Sequence, residues 1–281
     1  MHPAGAYAPG ELLFNFQDAQ ITESSGVAVS SYSDAVLFTN NDSGDTARFF
    51  AIGSQGQTLA TFDVVGAAVD WEDMASGPGS AGGRALYLAD IGDNNQARTV
   101  VTVYEVAEPV VNPLLDGQMG VLTPTAVHTL AYPGRSKNAE TLLVDPASGA
   151  LAIVSKEASG NSGLYLAPEL IDPNVPRVLE RVATIAFSTL ASDAESSGGL
   201  LTTGGAISPD GTKLVIRTYD EAFEWSIPSN GSLVAAVAQT PTRVALPRTQ
   251  QGEAICYSRD SSSLITTSEG QNAPAHLLRA A

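Results

Sequence analysis

The sequence contains very few of the side chains on which much metal and nucleophile chemistry depends. Cys256 is the only cysteine among 281 residues, and there are three histidines. No intrachain disulfide and no multi-cysteine metal site can therefore form, and the apolar run 254–257 indicates that Cys256 is a small buried residue. His2 and His276 lie near the ends of the chain and His128 lies in a strand-like run, which disfavours a histidine-rich zinc site and a Ser-His-Asp triad.

Basic residues and long apolar runs are also scarce. The chain has 14 Lys and Arg residues against 30 Asp and Glu residues, giving a formal net charge of −16. This charge disfavours nucleic acid and anionic membranes as partners, and it favours either a cation as partner or simply solubility. There is no run of about 18 apolar residues and no basic leader followed by an apolar one, so we expect no membrane insertion. We expect an extracellular or periplasmic location, with the signal peptide absent from this sequence, and a cytoplasmic location is the alternative.

What the chain does contain is a series of short β-rich runs separated by turn clusters. The runs 26–29, 35–39, 48–52 and 58–65 predict four short antiparallel strands, as in one blade of a β-propeller. The openings of five such units are at Glu23, Glu72, Glu140, about Gly205 and Glu253. The sequence therefore predicts an all-β fold, with residues 1–281 forming a single five-bladed β-propeller domain and residues 1–10 flexible.

The ends of the chain predict how the ring closes. The fifth unit lacks a fourth strand, whereas the strand-like run 11–16 precedes the first unit. Because an open sheet edge invites aggregation, we predict that this run forms the outer strand of the last blade. An insertion around 110–124 separates two strands of the second unit. A six-bladed ring, with a further blade between 168 and 198, is the alternative.

Residues that open the first strand of each blade are expected to lie at one mouth of the central channel. Those residues are Glu23, Glu72, Glu140 and Glu253. Four carboxylates at a narrow mouth do not all ionise without a counter-charge, so we predict that they converge on one cation. Ligation by oxygen alone favours Ca²⁺ over Mg²⁺. The fourth blade, which lacks a glutamate, is expected to offer backbone carbonyls near Gly205. The alternative is that each glutamate caps its own blade without a metal.

Residues that close the second strands are expected at the same face. The candidate catalytic residues among them are Asp42, Asp90, Lys156 and Arg217. The two basic side chains are expected to clamp an anionic substrate oxygen, or else to form salt bridges that offset the acids. Either aspartate is a candidate general base or outer-sphere partner of the metal, or else a turn residue. Asp70 and Asp73 are assigned to outer-sphere or turn roles.

Several motifs together carry a resemblance that spans nearly the whole chain. They are Asn41-Asp42-Ser43-Gly44-Asp45, Asp70-Trp71-Glu72-Asp73, Asp90-Ile91-Gly92-Asp93-Asn94, Ala139-Glu140, Ser208-Pro209-Asp210-Gly211, Arg217-Thr218-Tyr219 and Gln251-Gly252-Glu253-Ala254-Ile255. With these motifs the chain resembles a family of bacterial, often secreted, β-propeller proteins that has no settled activity. In that family an Asp commonly follows the Gly-Ala of the fourth blade, whereas Ile207 follows Gly205-Ala206 here.

More distantly, five blades with central glutamates are similar to the calcium-activated nucleotidase (apyrase) architecture, in which channel Ca²⁺ supports phosphoanhydride hydrolysis. Phytase-like, gluconolactonase-like and paraoxonase-like propellers also place calcium at the channel mouth. The resemblance implies a Ca²⁺-dependent hydrolase of phosphate esters, lactones or esters. The alternative is a non-catalytic propeller with a structural calcium that binds a glycan, peptide or protein, because fold transfers far better than function. We expect a monomer with a small-molecule or glycan ligand.

Overall fold

The computed structural model describes residues 7–169, 174–190 and 199–281. The strands of these residues are, in chain order, β1 (Glu11–Asn15), β2 (Ser24–Val29), β3 (Val36–Asn41), β4 (Arg48–Gly53), β5 (Thr58–Val64), β6 (Trp71–Pro78), β7 (Arg84–Asp90), β8 (Val101–Ala107), β9 (Gln118–Leu122), β10 (Ala126–Ala131), β11 (Ala139–Val144), β12 (Leu151–Ser155), β13 (Asn161–Leu166), β14 (Arg177–Val178), β15 (Glu180–Ala186), β16 (Thr202–Ile207), β17 (Lys213–Thr218), β18 (Glu221–Ser226), β19 (Thr242–Ala245), β20 (Gly252–Tyr257), β21 (Ser263–Ser268) and β22 (Pro274–Arg279). Two short helices are α1 (Phe187–Leu190) and α2 (Leu233–Val237).

These strands form five sheets, each of which is one blade. The strand orders are β2-β3-β4-β5-β9, β6-β7-β8-β10-β14, β11-β12-β13-β15, β16-β17-β18-β19 and β20-β21-β22-β1. The innermost strands contact one another in the ring order β2, β6, β11, β16, β20 and back to β2. The prediction of a single-domain, all-β, five-bladed propeller is therefore confirmed, and the six-bladed alternative is wrong. The described part of 168–198 contributes β14, β15 and α1, while 170–173 and 191–198 lie outside the described residues.

The ring closes through the N-terminal strand, as the sequence predicts. Strand β1 pairs antiparallel with β22, with Glu11 opposite Leu277 and Asn15 opposite Pro274. An isolated bridge between Tyr7 and Ala280 extends this pairing toward the N-terminus. Residues 1–6 of the segment predicted to be flexible lie outside the described residues.

Two strands leave their own position in the chain to extend the preceding blade. The insertion in the second unit contains β9, which pairs in parallel with β5 of the first blade. Similarly, β14 follows the third strand of the third blade and pairs in parallel with β10 of the second blade. The outer edges of the first two blades are therefore built from sequence that belongs to the next blade.

The hydrophobic core consists of clusters between adjacent blades. One cluster joins Phe38 and Phe49 of the first blade to Leu86 and Leu88 of the second, and each of the other four blade interfaces has a similar cluster. Because a blade packs on both faces, its inner strands are buried throughout, and β11 and β20 have no exposed residue. This packing on both faces explains why β11 and β20 lack a regular alternation of buried and exposed residues. Among the residues described here, no helix has the length and apolar character needed to cross a membrane.

Candidate metal centre

The first strand of every blade is irregular where it begins, at the same end of the channel. The pairing register of each first strand with its second strand shifts at this point, because the first strand carries an additional residue. The residues at the five equivalent positions are Ser25, Glu72, Glu140, Thr203 and Glu253. A β-bulge turns a side chain away from the regular pleat. We call this end of the channel the mouth.

Three of the four glutamates predicted to bind the metal lie at these equivalent positions. Glu72, Glu140 and Glu253 are each buried, with at most 6% of the residue exposed. Glu23 lies two residues before the equivalent position of its blade, which is Ser25, and it is exposed. The structure therefore brings Glu72, Glu140 and Glu253 together and places Glu23 at the rim. On the fourth blade, the side chain at the equivalent position is the hydroxyl of Thr203.

Two aspartates join Glu72 at the mouth. One carboxylate oxygen from each of Asp42, Asp70 and Glu72 lies within 4.8 Å of the other two, and we call these three residues the acidic cluster. Asp42 directly follows β3 and Asp70 directly precedes β6. The sequence predicts Asp42 as a general base, an outer-sphere partner or a turn residue, and Asp70 in an outer-sphere or turn role. The structure places a carboxylate oxygen of each within 4.8 Å of one of Glu72.

Gly92 provides the space that the acidic cluster occupies. A Cβ atom at this position would lie 2.3 Å from Oε1 of Glu72 and 2.4 Å from Oδ2 of Asp70. The backbone N–H of Gly92 donates a hydrogen bond to the carbonyl oxygen of Asp70 at 3.1 Å. Because a glycine stands here, two carboxylates approach each other against bare backbone, and their donor set consists of oxygen alone. Such a set suits a hard divalent cation.

The charges of Lys156 and Arg98 offset the charge of the acidic cluster only in part. Burial raises the pKa of Glu72 well above its ordinary value, and Glu140, Asp42 and Asp70 raise it further. Burial also raises the pKa of Asp70 to about 6, with the charge of Asp42 adding to the rise. The pKa of Asp42 is raised mainly by burial. A cation in this position would offset the mutual repulsion that adds to the effect of burial on these pKa values.

Lys156 occupies the opposite side of the mouth. Its Nζ lies 2.5 Å from both Oε1 and Oε2 of Glu140 and donates a hydrogen bond to the hydroxyl of Tyr219 at 2.8 Å. Nζ also lies 4.9 Å from the centre of the Tyr219 ring, a distance that allows a cation–π contact. Burial raises the pKa of Glu140, although Lys156 opposes this rise. The predicted substrate clamp is thus engaged in a salt bridge, which is the alternative that the sequence left open.

A second pair of carboxyl groups lies beside this salt bridge. Burial raises the pKa of Glu253 to about 7, and the charge of Glu140 adds to it, while a hydrogen bond from Nε2 of Gln251 at 2.9 Å lowers it. Burial, together with the charges of Glu253 and Asp42, raises the pKa of Glu269 to about 8. The pKa values of Glu253 and Glu269 are therefore both raised into the neutral range.

Asp90 supports the loop that carries Asp70. Its two carboxylate oxygens accept hydrogen bonds from the backbone N–H groups of Val69 and Asp70, and Oδ1 lies 2.7 Å from Nη1 of Arg98. Asn41 holds the corresponding loop of the first blade in the same way. Asp90 is buried, so these contacts favour a structural role over the predicted role as a general base.

Arg217 lies beneath the mouth and is almost completely buried. Its guanidinium donates hydrogen bonds to the carbonyl oxygens of Ala254, Thr218 and Tyr219 and to the hydroxyl of Thr266. Burial lowers the pKa of Arg217 to about 10, and Glu253 opposes that shift. With its donors directed at neighbouring backbone, Arg217 joins the fourth and fifth blades, and this arrangement favours a structural role over the predicted clamp.

Asp73, which the sequence assigns to an outer-sphere or turn role, is a further buried acid. Its Oδ1 accepts a hydrogen bond from the N–H of Met74 and its Oδ2 accepts one from the N–H of Leu142, both at 2.9 Å. Burial raises the pKa of Asp73 well above its ordinary value. Because Leu142 belongs to the third blade, Asp73 ties two first strands together. The feature of the sequence that could have indicated this contact is the position of Asp73 directly after Glu72.

A polar cleft opens beside Glu253. It has a volume of about 260 Å³ and is lined by Tyr219, Asp220, Thr249, Gln250, Gln251 and Gly252. A Cβ atom on Gly252 would lie 2.0 Å from Nη2 of Arg217, so this part of the lining is bare backbone over the buried guanidinium. The cleft adjoins Glu253 in the chain, because Gln251 and Gly252 of its lining directly precede that residue.

Comparison with known proteins assigns no family to the chain. No protein-family model matches the chain, and no curated protein matches it in sequence. Solved structures do match the fold. One is a protein of Xanthomonas campestris described as a gluconolactonase important in glucose secondary metabolic pathways, which is 12% identical over 99% of each chain with a TM-score of 0.49. A likeness this distant carries no functional argument, so the bacterial family inferred from the motifs stays a prediction.

Proposed function

We propose that the protein binds one hard divalent cation, Ca²⁺ in preference to Mg²⁺, at the acidic cluster of Asp42, Asp70 and Glu72. The supporting observation is the approach of three carboxylate oxygens within 4.8 Å of one another, against the bare backbone of Gly92. Carboxylate oxygens in an irregular arrangement suit Ca²⁺, whereas Mg²⁺ demands near-octahedral geometry. The crowded carboxylates also raise one another's pKa values, and this repulsion favours uptake of a cation.

Calorimetry and metal analysis test this proposal. We expect EDTA-treated protein to bind one Ca²⁺ per chain and to melt at a higher temperature with Ca²⁺ than without it. Binding at 100 times the Kd stabilises a folded protein by about 2.7 kcal/mol.

Asp70→Asn should weaken Ca²⁺ binding at least tenfold, which is about 1.4 kcal/mol. Asp260→Asn, in a surface turn where the carboxylate bonds Ser258 and Ser262, is the matched control and should bind normally. Absence of both binding and stabilisation would refute the proposal.

Two further variants distinguish the acidic cluster from the ligand set predicted by sequence. That set contains Glu23, which lies at the exposed rim, and lacks Asp42. We expect Asp42→Asn to reduce Ca²⁺ affinity much more than Glu23→Gln, because only the first change removes a cluster oxygen. The opposite order would favour the original set of four glutamates.

A second candidate function is Ca²⁺-dependent hydrolysis of a lactone, carboxylic ester or phosphate ester at the same mouth. The cleft of about 260 Å³ favours it, because Gly252 of its lining directly precedes Glu253 at the mouth. A bound Ca²⁺ would polarise a substrate oxygen. The pKa values of Glu253 and Glu269, about 7 and about 8, suit groups that hold and transfer a proton near neutral pH.

A hydrolysis panel separates the two functions. Lactones, carboxylic esters and phosphate esters are tested with EDTA and again after Ca²⁺ is restored. Turnover that returns with Ca²⁺ and is lost in Glu253→Gln would support the hydrolase. Ca²⁺ binding without turnover would leave a non-catalytic binding propeller for a glycan, peptide or protein. The contacts of Lys156 and Arg217 support this second outcome, because their donors face protein groups.

A further inference from the structure

The mouth has two halves, and Lys156 provides a positive charge in one of them. One half is the acidic cluster, beside which the bare backbone of Gly92 leaves space. The other half contains Glu140 and Glu253, and Lys156 reaches into it from the end of the second strand of the third blade. The two halves adjoin, because the charges of Glu140 and Lys156 both act on Glu72.

The ammonium of Lys156 is held in one place. Its three hydrogens have three acceptors, namely Oε1 and Oε2 of Glu140 at 2.5 Å and the Tyr219 hydroxyl at 2.8 Å. The Tyr219 ring lies 4.9 Å away, and 11% of the Lys156 side chain is exposed. An ammonium bound by both oxygens of one carboxylate occupies the position at which a bidentate carboxylate would hold a metal ion.

We propose that Lys156 is a built-in cation that takes the place of a second metal ion and makes the mouth a mononuclear centre. This inference rests on the proposed cation site at the acidic cluster. Two-metal hydrolytic centres hold their ions about 3.5–4 Å apart between shared carboxylates. The mouth has enough carboxylates for two cations, but one of the two positions is filled by a side chain. Lys156 therefore determines the number of metal ions bound.

The stoichiometry of Ca²⁺ binding tests this role. Lys156→Met keeps much of the aliphatic volume and removes the charge, so we expect calorimetry to find two Ca²⁺ ions per chain where the native protein binds one. Glu140→Gln/Lys156→Met removes the carboxylate together with the ammonium, and we expect it to return to one Ca²⁺ ion. Lys137→Met is the matched control, since Lys137 forms a similar salt bridge with Glu157 at 2.6 Å outside the cluster. It should bind one Ca²⁺ ion with native affinity.

Several outcomes would overturn the inference. If Lys156→Met binds one Ca²⁺ ion as the native protein does, the ammonium does not occupy a metal position, although the proposed cation site stands. Two Ca²⁺ ions in the native protein would also exclude a mononuclear centre. If Lys156→Met remains unfolded at saturating Ca²⁺ while the double variant folds, Ca²⁺ cannot replace the ammonium.

Failure of the proposed function would give a different set of Ca²⁺ stoichiometries. If native protein binds no Ca²⁺ but Lys156→Met binds one, and Glu140→Gln/Lys156→Met binds none, Lys156 occupies a metal position and the acidic cluster is not a site. If none of the three proteins binds Ca²⁺, both the cation site and the inference fail.

Discussion

At the scale of single residues, Gly92 controls whether the acidic cluster can form. A methyl group at this position would lie 2.3 Å from Oε1 of Glu72, far inside van der Waals contact. We therefore expect Gly92→Ala to displace at least one of the carboxylates of Glu72 and Asp70. Calorimetry should show a loss of at least tenfold in Ca²⁺ affinity, about 1.4 kcal/mol.

A second glycine of the same blade gives the control for this change. Gly79 lies in the turn between β6 and β7, at the other end of the blade, and a Cβ atom there would have its closest contact at 3.1 Å. Gly79→Ala should bind Ca²⁺ as the native protein does. Native affinity in Gly92→Ala would show that the space beside Gly92 is not part of the cation site.

Arg217 is expected to affect stability more than ligand binding. Its planar guanidinium reaches backbone carbonyls in several directions, which the single ammonium of a lysine cannot reproduce. Each lost hydrogen bond to a charged group costs about 1.5–3 kcal/mol. We expect Arg217→Lys to lower the free energy of unfolding in urea by at least that amount, with the number of bound Ca²⁺ ions unchanged. If Arg217→Lys has native stability but loses binding or turnover of an anionic substrate, the predicted clamp would be supported instead.

At the scale of strands, bulges decide which side chains reach the mouth. The pattern of a glutamate followed by small and apolar residues correctly identified Glu72, Glu140 and Glu253 as equivalent residues. The same pattern also selected Glu23, although the equivalent position in the first blade is Ser25, two residues further along the chain. The fourth blade, which has no glutamate to align, was placed at Gly205 although Thr203 is equivalent. Register depends on pairing with the second strand, which a pattern within one strand does not specify.

Pairing between strands that are distant in the chain is another feature that could not be predicted from the sequence. The strands of the blades were predicted well, because each follows its neighbour through a short turn. By contrast, β9 and β14 pair in parallel with strands of the preceding blade, and β9 lies in what the sequence identified only as an insertion. Asp70 joins the cluster for a similar reason, since its contact with Asp42 joins two blades. Contacts between blades leave no periodic signal in either segment.

The N-terminal strand is expected to provide much of the stability of the closed ring. Phe16 directly follows β1, is completely buried, and packs in the cluster between the fifth and first blades. We expect Phe16→Ala to lower the free energy of unfolding by about 3–5 kcal/mol, as measured by urea denaturation. Leu12→Ala is the control, since Leu12 in the same strand is 59% exposed and should cost little. Equal effects of the two changes would indicate that the strand does not seal the ring.

At the scale of the whole molecule, the five blades concentrate charge at one end of a closed ring. Their first strands begin at the mouth, and each blade places either an acid or a hydroxyl at the equivalent position. A net charge of −16 adds to the repulsion within this end. The fold therefore supports buried carboxylates that are destabilising when ionised, and the stability of the molecule depends on whether protons or cations neutralise them.

This dependence predicts opposite effects of pH with and without Ca²⁺. The pKa values of Asp70, Glu253 and Glu269 in the folded state, about 6, about 7 and about 8, lie above the ordinary values for these groups. The folded protein thus retains protons that the unfolded chain releases, so its stability is greatest at acidic pH and falls as pH rises toward about 8. In EDTA, the melting temperature should decrease between about pH 5 and pH 8.

With saturating Ca²⁺ the decrease should be smaller or reversed, because ionised carboxylates bind the cation and release their protons. Differential scanning calorimetry across this pH range measures both series. Glu269→Gln removes the group with the highest of the three pKa values. In EDTA, the melting temperature of this variant should therefore decrease less steeply as the pH approaches about 8. Parallel pH profiles in EDTA and in Ca²⁺ would show that protons and the cation do not compete for the same carboxylates, and would contradict the placement of the cation at the mouth.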